Sequence, residues 1–326
     1  MDPIKASKDT CRGRKAQPGP ARPVSTYSIV ARDPATGELG VAVQSHYFAV
    51  GKDVPWLEAG AGAVATQAFV DVSYGPLGLA AMRAGRSAPD ALKGLLAGDE
   101  GREVRQVAMI DALGRVAAHT GGQCIQPAGH IVDPEAQFSA QGNLMANDRV
   151  WPAMAEAYRA AGGDLADRLV AALEAAEAAG GDVRGRQSAA LVVVSGQPSG
   201  KPWIDRLFDL RVEDHPQPVA ELKRLVRLQR AYLHMNAGDL AMEKDDITAA
   251  YREYVAAREL APHLAEIPFW CAVTLANGGR AEEALTIVKS VFGREKAWVE
   301  LIPRLVESGL LLNDPELIKK ILALAL

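Results

Sequence analysis

Cysteine is scarce in this 326-residue sequence, and neither sign of charge is in large excess. The three cysteines, Cys11, Cys124 and Cys271, have none of the short paired spacings that bind zinc or form a disulfide framework. The formal net charge of −4 gives the chain no overall positive field with which to attract a nucleic acid. We therefore expect a reduced, cytoplasmic protein that binds no metal and no nucleic acid.

Long apolar runs are also missing. No segment approaches the roughly 20 apolar residues that cross a bilayer, because charged residues interrupt even the alanine-rich segments. The first 25 residues are rich in Lys, Arg and Pro and contain no apolar core of a signal peptide. These absences predict a disordered N-terminal arm over residues 1–25 and no membrane partner.

The sequence does contain enough apolar material for a globular core. Hydrophobic residues make up 48% of the chain and charged residues 23%, which are the proportions of ordinary folded domains. Because 326 residues is long for one compact domain, two domains are expected.

The pattern of strands and helices predicts the architecture of the first domain. Residues 26–45 predict a β-hairpin, because two β-favouring segments flank the turn sequence PATGE, and residues 105–121 predict another. Strand pairs that alternate with helices fit antiparallel sheets covered by helices, so we predict a four-layer αββα sandwich of the α+β class over residues 26–216. Further strands are expected at residues 59–69, 187–195 and 207–214, and helices at residues 75–96, 151–158 and 165–179. Loops are expected at residues 54–56 and 122–137, the second of which leads to the segment 138–147.

Residues 217–326 show no strand pattern and contain a repeat of about 34 residues. Small, aromatic and proline positions typical of a tetratricopeptide repeat fall in order, and a second copy follows in which a valine replaces the aromatic. We therefore predict a tetratricopeptide-like helical domain that offers residues 231–326 to a protein partner. The matching positions are Ala231, Gly238, Ala250, Tyr254, Ala257 and Pro262, then Ala272, Leu275, Ala284 and Val288.

Several sequence strings of the first domain carry a resemblance. They are TYSIVARDPATGELGVAVQS, GAVATQAF with SYGPLGL, FSAQGN, GDVRGRQSAALVVV and DLRVEDHPQPVAEL. In this order they resemble the bacterial and archaeal domain of unknown function 1028 family over about residues 26–222. That family is grouped with the N-terminal-nucleophile hydrolase-like fold, so the resemblance implies the αββα architecture and leaves the substrate open.

The resemblance also implies a nucleophile. In N-terminal-nucleophile hydrolases the first residue of the mature chain attacks the substrate, and its own α-amine, with a pKa of about 7.7–8.0, accepts the hydroxyl proton. Thr26 stands at the start of the first strand and would fill this role. Because 25 residues precede it, either the Ser25–Thr26 bond is cleaved, or translation begins later, or the role is lost and Thr26 is only a β-favouring residue.

Two further residues are candidates for the catalytic site. Consecutive strand residues point to opposite faces, so at most one of Ser45 and His46 faces a cleft, and we favour Ser45. By the same argument Thr66 and Gln67 cannot both face the same layer. Gln67 could donate its amide to a developing oxyanion, and the alternative is a satisfied buried glutamine. Hydrolysis by Ser45 or by a bound water is an alternative to Thr26.

Polar residues beside glycines are the candidates for substrate binding. Arg186 follows Gly185 and could clamp a carboxylate, or it could pair with Asp182 across the loop. A helix that opens at Ser73-Tyr74-Gly75 has free amides for an anionic group, although Ser73 as an N-cap is an equal explanation. The predicted substrate-binding residues are Tyr74, Gln141, Asn143, Asp182, Arg186 and Gln187.

We expect a hydrolase of amide C–N bonds in a small-molecule or peptide-like substrate, which needs no cofactor and forms a homo-oligomer. The alternative is a catalytically inactive ligand-binding or scaffold protein that binds partners through its helices. His119, His130 and His215 are too scattered for a metal site, and Cys124 has no activating base, so structural roles are expected for them.

Overall fold

The computed structural model of the chain describes residues 25–325, so the predicted N-terminal arm lies outside the described residues except for Ser25. The chain divides into two compact units, Met1–Val219 and Ala220–Leu326. In the described part, the first unit combines antiparallel strands with helices, and the second contains helices only. No helix within residues 25–325 has both the length and the apolarity that crossing a bilayer requires.

The strands of the first unit form two antiparallel sheets. They are β1 (Thr26–Arg32), β2 (Leu39–Ser45), β3 (Pro55–Glu58), β4 (Gly62–Ala68), β5 (Arg105–Asp111), β6 (Val116–Thr120), β7 (Gly129–Asp133), β8 (Phe138–Asn143), β9 (Ser188–Val194) and β10 (Arg206–Val212). The six-stranded sheet has the order β10-β9-β2-β1-β8-β7, and the four-stranded sheet has the order β3-β4-β5-β6. The hairpins predicted at residues 26–45 and 105–121 are confirmed as β1–β2 and β5–β6.

Side-chain alternation along the strands gives each sheet two buried faces. Val30 and Val41 belong to a core that also includes Ala63, Ala108 and Val192, so this face of the six-stranded sheet lies against the four-stranded sheet. The neighbouring residues of each strand point away from that core. Burial of one such valine stabilises the fold by about 1.5–3 kcal/mol, so the apolar layer between the sheets contributes to the stability of the unit.

Helices cover the outer faces of both sheets. They are α1 (Tyr74–Arg83), α2 (Ala88–Gly98), α3 (Val150–Ala160) and α4 (Leu165–Ala178), while the short α5 (Pro202–Asp205) directly precedes β10. α1 and α2 pack on the four-stranded sheet, whereas α3 and α4 pack on the six-stranded sheet. α2 begins where the Ser87 hydroxyl accepts the Asp90 amide at 3.1 Å, while the Ser73 side chain makes no such bond at the start of α1.

The second unit has its own apolar core. Its helices are α6 (Pro218–Met242), α7 (Ile247–Leu260), α8 (Glu266–Asn277), α9 (Ala281–Phe292), α10 (Leu301–Glu307) and α11 (Pro315–Ala323), of which α6 begins two residues before the unit boundary. Tyr254 is buried against Gly238, where an added Cβ would lie 3.0 Å from the tyrosine Cζ. A small residue at this position therefore lets the aromatic ring fill the space between α6 and α7.

Two predicted loops contain strands, so those predictions were wrong. Residues 54–56 lead into β3, and residues 122–137 include β7. Both are outermost strands of their sheets, where few residues are fully buried and the apolar alternation is weak. Pro55 is tolerated because it is the first residue of an edge strand, where the missing N–H breaks no ladder.

Candidate functional site

Four polar side chains lie in one row across the ends of four neighbouring strands. Thr26 pairs with Ser45 on one side and with Asn143 on the other, and Ser45 pairs in turn with Ser188. Directly opposed residues of antiparallel strands point to the same face of a sheet, and all four residues are buried. The fold therefore brings three of the predicted site residues, Thr26, Ser45 and Asn143, into one row.

The row faces the layer between the two sheets. Ser28 lies two residues after Thr26 on β1 and so points to the same side, where its hydroxyl donates to the Gln67 Oε1 atom at 2.6 Å. Gln67 belongs to β4 of the four-stranded sheet. The predicted residues of both sheets thus meet at one end of the layer between them.

Amide side chains fix the main chain of Thr26. The Nε2 atom of Gln67 donates to the Thr26 carbonyl at 3.1 Å and to the Gln106 Oε1 atom at 2.7 Å. The Nδ2 atom of Asn143 donates to the same Gln106 oxygen at 3.0 Å and approaches the Thr26 carbonyl at 3.5 Å. Because both Gln67 amide hydrogens are engaged, Gln67 positions Thr26 in this state and has no free hydrogen for an oxyanion.

Gln106 connects this network and was missed by the sequence analysis. Its own amide donates to the Thr120 hydroxyl and to the Gly142 carbonyl, both at 2.9 Å. Gln106 is the register partner of Gln67 across β4 and β5. A glutamine at the start of an otherwise apolar strand was the one available signal, because such a residue needs partners when the strand is buried.

The carbonyl oxygen of Ser25, just before Thr26, accepts two side-chain hydrogen bonds. One comes from the Ser45 hydroxyl and the other from the Arg184 Nη2 atom at 3.0 Å. Ser25 and Ser45 are fully buried, and the Arg184 side chain is 29% exposed. Two donors on one carbonyl oxygen polarise the Ser25–Thr26 peptide bond, because they stabilise negative charge on that oxygen.

Asp182 holds Arg184 in place. Its carboxylate accepts the guanidinium at two positions, from Nε at 3.1 Å and from Nη2 at 2.8 Å, and it also accepts the main-chain amide of His46 at 3.1 Å. The Asp182 side chain is fully buried. Sequence reasoning considered a pairing of Asp182 with Arg186, but the arginine at this carboxylate is Arg184, which was not among the predicted residues. The only sequence feature that could have identified Arg184 was its position two residues after Asp182 in a loop.

Arg186 and Gln187 line a separate surface pocket. The pocket has a volume of about 290 Å³ and is also lined by His46, Asp214, His215 and Pro216. The Gln187 amide donates to the Asp214 carboxylate at 3.2 Å. Arg186 forms an ion pair with Glu177 and is half-exposed. Since His46 follows Ser45 directly, the pocket adjoins the strand end that carries the row.

Tyr74 and Gln141 occupy other places. The Tyr74 hydroxyl donates to the Asp99 carboxylate at 3.0 Å, within the apolar cluster between α1, α2 and the four-stranded sheet. Burial and this bond raise the pKa of Tyr74 well above its usual range. Gln141 is fully buried between the sheets, where its amide approaches the Ser28 hydroxyl at 3.2 Å. Neither side chain reaches the Ser25 carbonyl.

The cysteine and histidine residues near this site are not arranged for catalysis or for metal binding. Burial raises the pKa of the Cys124 thiol to about 11, so the thiolate is a minor species near neutral pH. His130 is bonded to the Thr120 hydroxyl at 2.8 Å, and desolvation lowers its pKa. Among residues 25–325, no cluster of three or more His, Cys, Asp or Glu side chains could hold a metal ion. The chemistry available beside Thr26 is that of hydroxyls, amides and one arginine.

Comparisons with known proteins extend this description. A family described as "Family of unknown function (DUF1028)" matches residues 26–222, which is well over half of the chain. The crystal structure of protein SPO2555 from Silicibacter pomeroyi, assigned to the same family, is similar at 34% sequence identity with a TM-score of 0.55. The similarity covers 62% of this chain and 85% of that protein. No curated protein matches the chain.

Proposed function

Because the chain belongs to the DUF1028 family, whose function is unknown, we propose an activity from the geometry of the site. The protein is an N-terminal-nucleophile hydrolase of amide C–N bonds in a small-molecule or peptide-like substrate. Thr26 is the nucleophile after the Ser25–Thr26 bond has been opened, and no cofactor takes part. The observation that carries the proposal is the Ser25 carbonyl, which is held by Ser45 and Arg184 directly before a threonine at the start of β1.

The layer order supports the same proposal. Two helices, a six-stranded sheet, a four-stranded sheet and two further helices follow one another in space, as expected for the αββα sandwich of N-terminal-nucleophile hydrolases. Thr26 is the first residue of a strand inside the larger sheet, with β2 and β8 on either side. A nucleophile in this position is fixed by its neighbours before any substrate arrives.

Opening of the peptide bond needs only Thr26 and water. The Thr26 hydroxyl oxygen attacks the Ser25 carbonyl carbon, the C–N bond breaks, and the hydroxyl proton passes to the Thr26 nitrogen, which leaves an ester and a free α-amine. Water then hydrolyses the ester, releasing a Ser25 carboxylate and restoring the Thr26 hydroxyl. Negative charge develops on the Ser25 oxygen, where Ser45 and Arg184 already donate, so loss of one donor slows opening by about 10²–10³-fold.

Substrate hydrolysis repeats this chemistry with the new α-amine as base. The amine takes the hydroxyl proton while the Thr26 oxygen attacks the substrate carbonyl, and the proton then passes to the leaving amine. Water hydrolyses the resulting acyl-enzyme ester. Gln67 and Asn143 hold the Thr26 main chain during these steps. Arg186 and Gln187 contact the distal part of the substrate in the adjoining pocket.

An inactive binding protein is the second candidate. Ser25 and Thr26 are both buried, and a catalytically silent domain would leave the bond between them intact. In that case function rests on the second unit, which we propose is a tetratricopeptide-like module that binds a protein partner. The buried positions Ala231, Ala250 and Tyr254 fit the repeat that predicts it.

The mature N-terminus distinguishes the two candidates. Intact-mass measurement and N-terminal sequencing of purified full-length protein are expected to show a chain that begins at Thr26. The Thr26→Ala variant should stay uncleaved and inactive on a panel of small amides, while Thr26→Ser should be cleaved. Thr36→Ala is a matched control, because Thr36 is exposed in the β1–β2 turn.

Two results would contradict the proposal. One is hydrolytic activity in a preparation that contains only the uncleaved chain, which would leave Ser45 or a bound water as the attacking group. The other is an uncleaved wild-type chain without activity, whose circular dichroism spectrum matches that of the Thr26→Ala variant, which would favour the binding protein.

A further inference from the structure

The Ser45 hydroxyl and one Arg184 Nη2 hydrogen share the Ser25 carbonyl oxygen as their acceptor. The Ser45 hydroxyl and the Arg184 Nη2 atom both point to an oxygen that belongs to the segment before Thr26. When that segment leaves, the Ser45 hydroxyl, which is fully buried in the uncleaved chain, and one hydrogen of the Arg184 guanidinium lose this acceptor, while Arg184 keeps its bonds to Asp182. An unpaired buried donor is unfavourable, so the vacated position selects a ligand that brings an oxygen.

We propose that this position, once vacated, is a carboxylate-binding site formed by Ser45 and Arg184. The proposal rests on the proposed function, because the site exists only after the Ser25–Thr26 bond has been hydrolysed. Hydrolysis converts the Ser25 carbonyl into a carboxylate in place, so the released segment is the first ligand and occupies the site as a product. A substrate that carries a carboxylate near its scissile amide is the second source of the same chemistry.

Charge favours a carboxylate over a neutral carbonyl. A guanidinium donates charge-assisted hydrogen bonds, which are about twice as strong as those between neutral groups. Arg184 turns its Nε edge and one Nη2 hydrogen to Asp182, while another Nη2 hydrogen points to the Ser25 oxygen. The fork to Asp182 leaves the charged group with one orientation, so little entropy is lost when the ligand oxygen binds.

Asp182 acts through Arg184 and is a positioning residue. Its side chain is fully buried, and its oxygens already accept the guanidinium and two main-chain amides, those of His46 and Arg184. It therefore has no exposed oxygen for a substrate. The sequence-predicted role of Asp182 in substrate binding becomes, on this view, an indirect one. Arg186 in the same loop differs, because it is half-exposed and paired with Glu177.

The binding experiment uses full-length protein with a protease-recognition sequence placed directly before Thr26. Because Ser25 and Thr26 are buried in the folded chain, the protease is co-expressed so that it cuts during synthesis, and the site opens whether or not the chain cleaves itself. The probes are the pentapeptide Ala-Arg-Pro-Val-Ser, which has the sequence of residues 21–25, with a free C-terminal carboxylate or with a C-terminal amide, and N-acetylserine with N-acetylserinamide. Titration calorimetry measures each dissociation constant.

We expect each acid to bind at least 10-fold more tightly than its amide. Arg184→Gln should abolish this preference, Arg184→Lys should retain only part of it, and Asp182→Asn should lower the acid affinity while leaving the amide affinity unchanged. A residue with only a structural role would lower both affinities together. Arg83→Gln is the control, since Arg83 is exposed and paired with Glu58. If Asp182→Asn does not fold, the two Arg184 variants still decide the question.

Each outcome bears on the proposal. Preference for both acids indicates a general carboxylate site open to substrates, and preference for the peptide acid alone indicates a product site for the released segment. Equal affinity for acids and amides, or a preference that survives Arg184→Gln, overturns the inference. The proposed hydrolase activity is judged separately, because the cut Thr26→Ala variant should keep the acid preference and lose all turnover.

Discussion

At the scale of single residues, two buried glutamines have opposite hydrogen-bonding states. Gln106 accepts the amides of Gln67 and Asn143 and donates to several acceptors, whereas neither polar atom of Gln44 has a partner among residues 25–325. Both side chains are fully buried. A comparison of the two residues therefore distinguishes the effect of a buried hydrogen-bond network on stability from the effect of burying a glutamine without partners.

Methionine substitutions at these two positions are expected to change the free energy of unfolding by different amounts or in opposite directions. Gln106→Met removes the oxygen that the amides of Gln67 and Asn143 share and should lower the free energy of unfolding by about 2–6 kcal/mol, at about 1–3 kcal/mol for each of these two groups. Gln44→Met removes an unpaired amide and should change that free energy by less than about 1 kcal/mol or raise it. Urea denaturation measures both, and equal losses would refute the assignment of the network.

The candidate site shows what sequence can predict at this scale. Thr26 and Ser45 were selected because they sit at strand ends, and Asn143 because it follows a glycine; strand pairing brings the three positions together. Arg184 was missed because its role depends on Asp182, which is two residues away in an irregular loop without a period. Gln67 was predicted as an oxyanion donor or a satisfied buried glutamine, and its hydrogen-bond partners could not be predicted because they belong to other strands.

At the scale of elements, α4 packs closely on β2 at a glycine. A Cβ added to Gly40 would lie 2.5 Å from the Leu169 Cδ1 atom and 3.1 Å from the Leu165 Cδ2 atom. Gly94 in α2 is the opposite case, because nothing lies within 4 Å of an added Cβ. Gly40 therefore allows the close approach of α4 to β2, whereas no packing contact requires a glycine at position 94.

Alanine at each glycine tests this difference. Gly40→Ala overpacks the contact between α4 and β2 and should lower the free energy of unfolding by about 1–3 kcal/mol. Gly94→Ala should raise it by up to about 1 kcal/mol, because alanine favours the helix. A second change, Leu169→Val, makes room at Gly40, so the double variant should be more stable than the sum of the single losses predicts. Purely additive losses would show that contact with the Leu169 side chain is not the cause of the instability of Gly40→Ala.

Elements were predictable where the sequence pattern repeats over a whole buried face. β1, β2 and β9 are strongly apolar and bounded by turns, so their strands were identified from sequence. β3 and β7 are short and half-buried, and their stability comes from pairing with β4 and β8 rather than from their own pattern. Local sequence carries no information on that pairing.

At the scale of the whole molecule, the two units have separate apolar cores. The first core lies between the sheets, and the second is formed by helices from residue 220 onward. The sequence predicted a boundary near residue 216 from two prolines and the loss of strand patterns, whereas the continuous α6 begins at Pro218. Helical periodicity alone does not reveal where one compact unit ends inside a helix.

Separate cores predict that damage to the helical unit stays local. Phe269 is fully buried in α8, and its ring centroid lies 4.8 Å from that of Trp298. Phe269→Ala should cost about 3–5 kcal/mol of stability in this unit, because it leaves a cavity at the centre of the core. Hydrogen exchange of the full-length variant should then accelerate in residues 220–325, while β1 and β2 stay protected and cleavage before Thr26 proceeds as in the wild type. Leu312→Ala serves as the control, because Leu312 is 56% exposed. Faster exchange in β1 and β2 by the same factor would mean that the two units unfold as one.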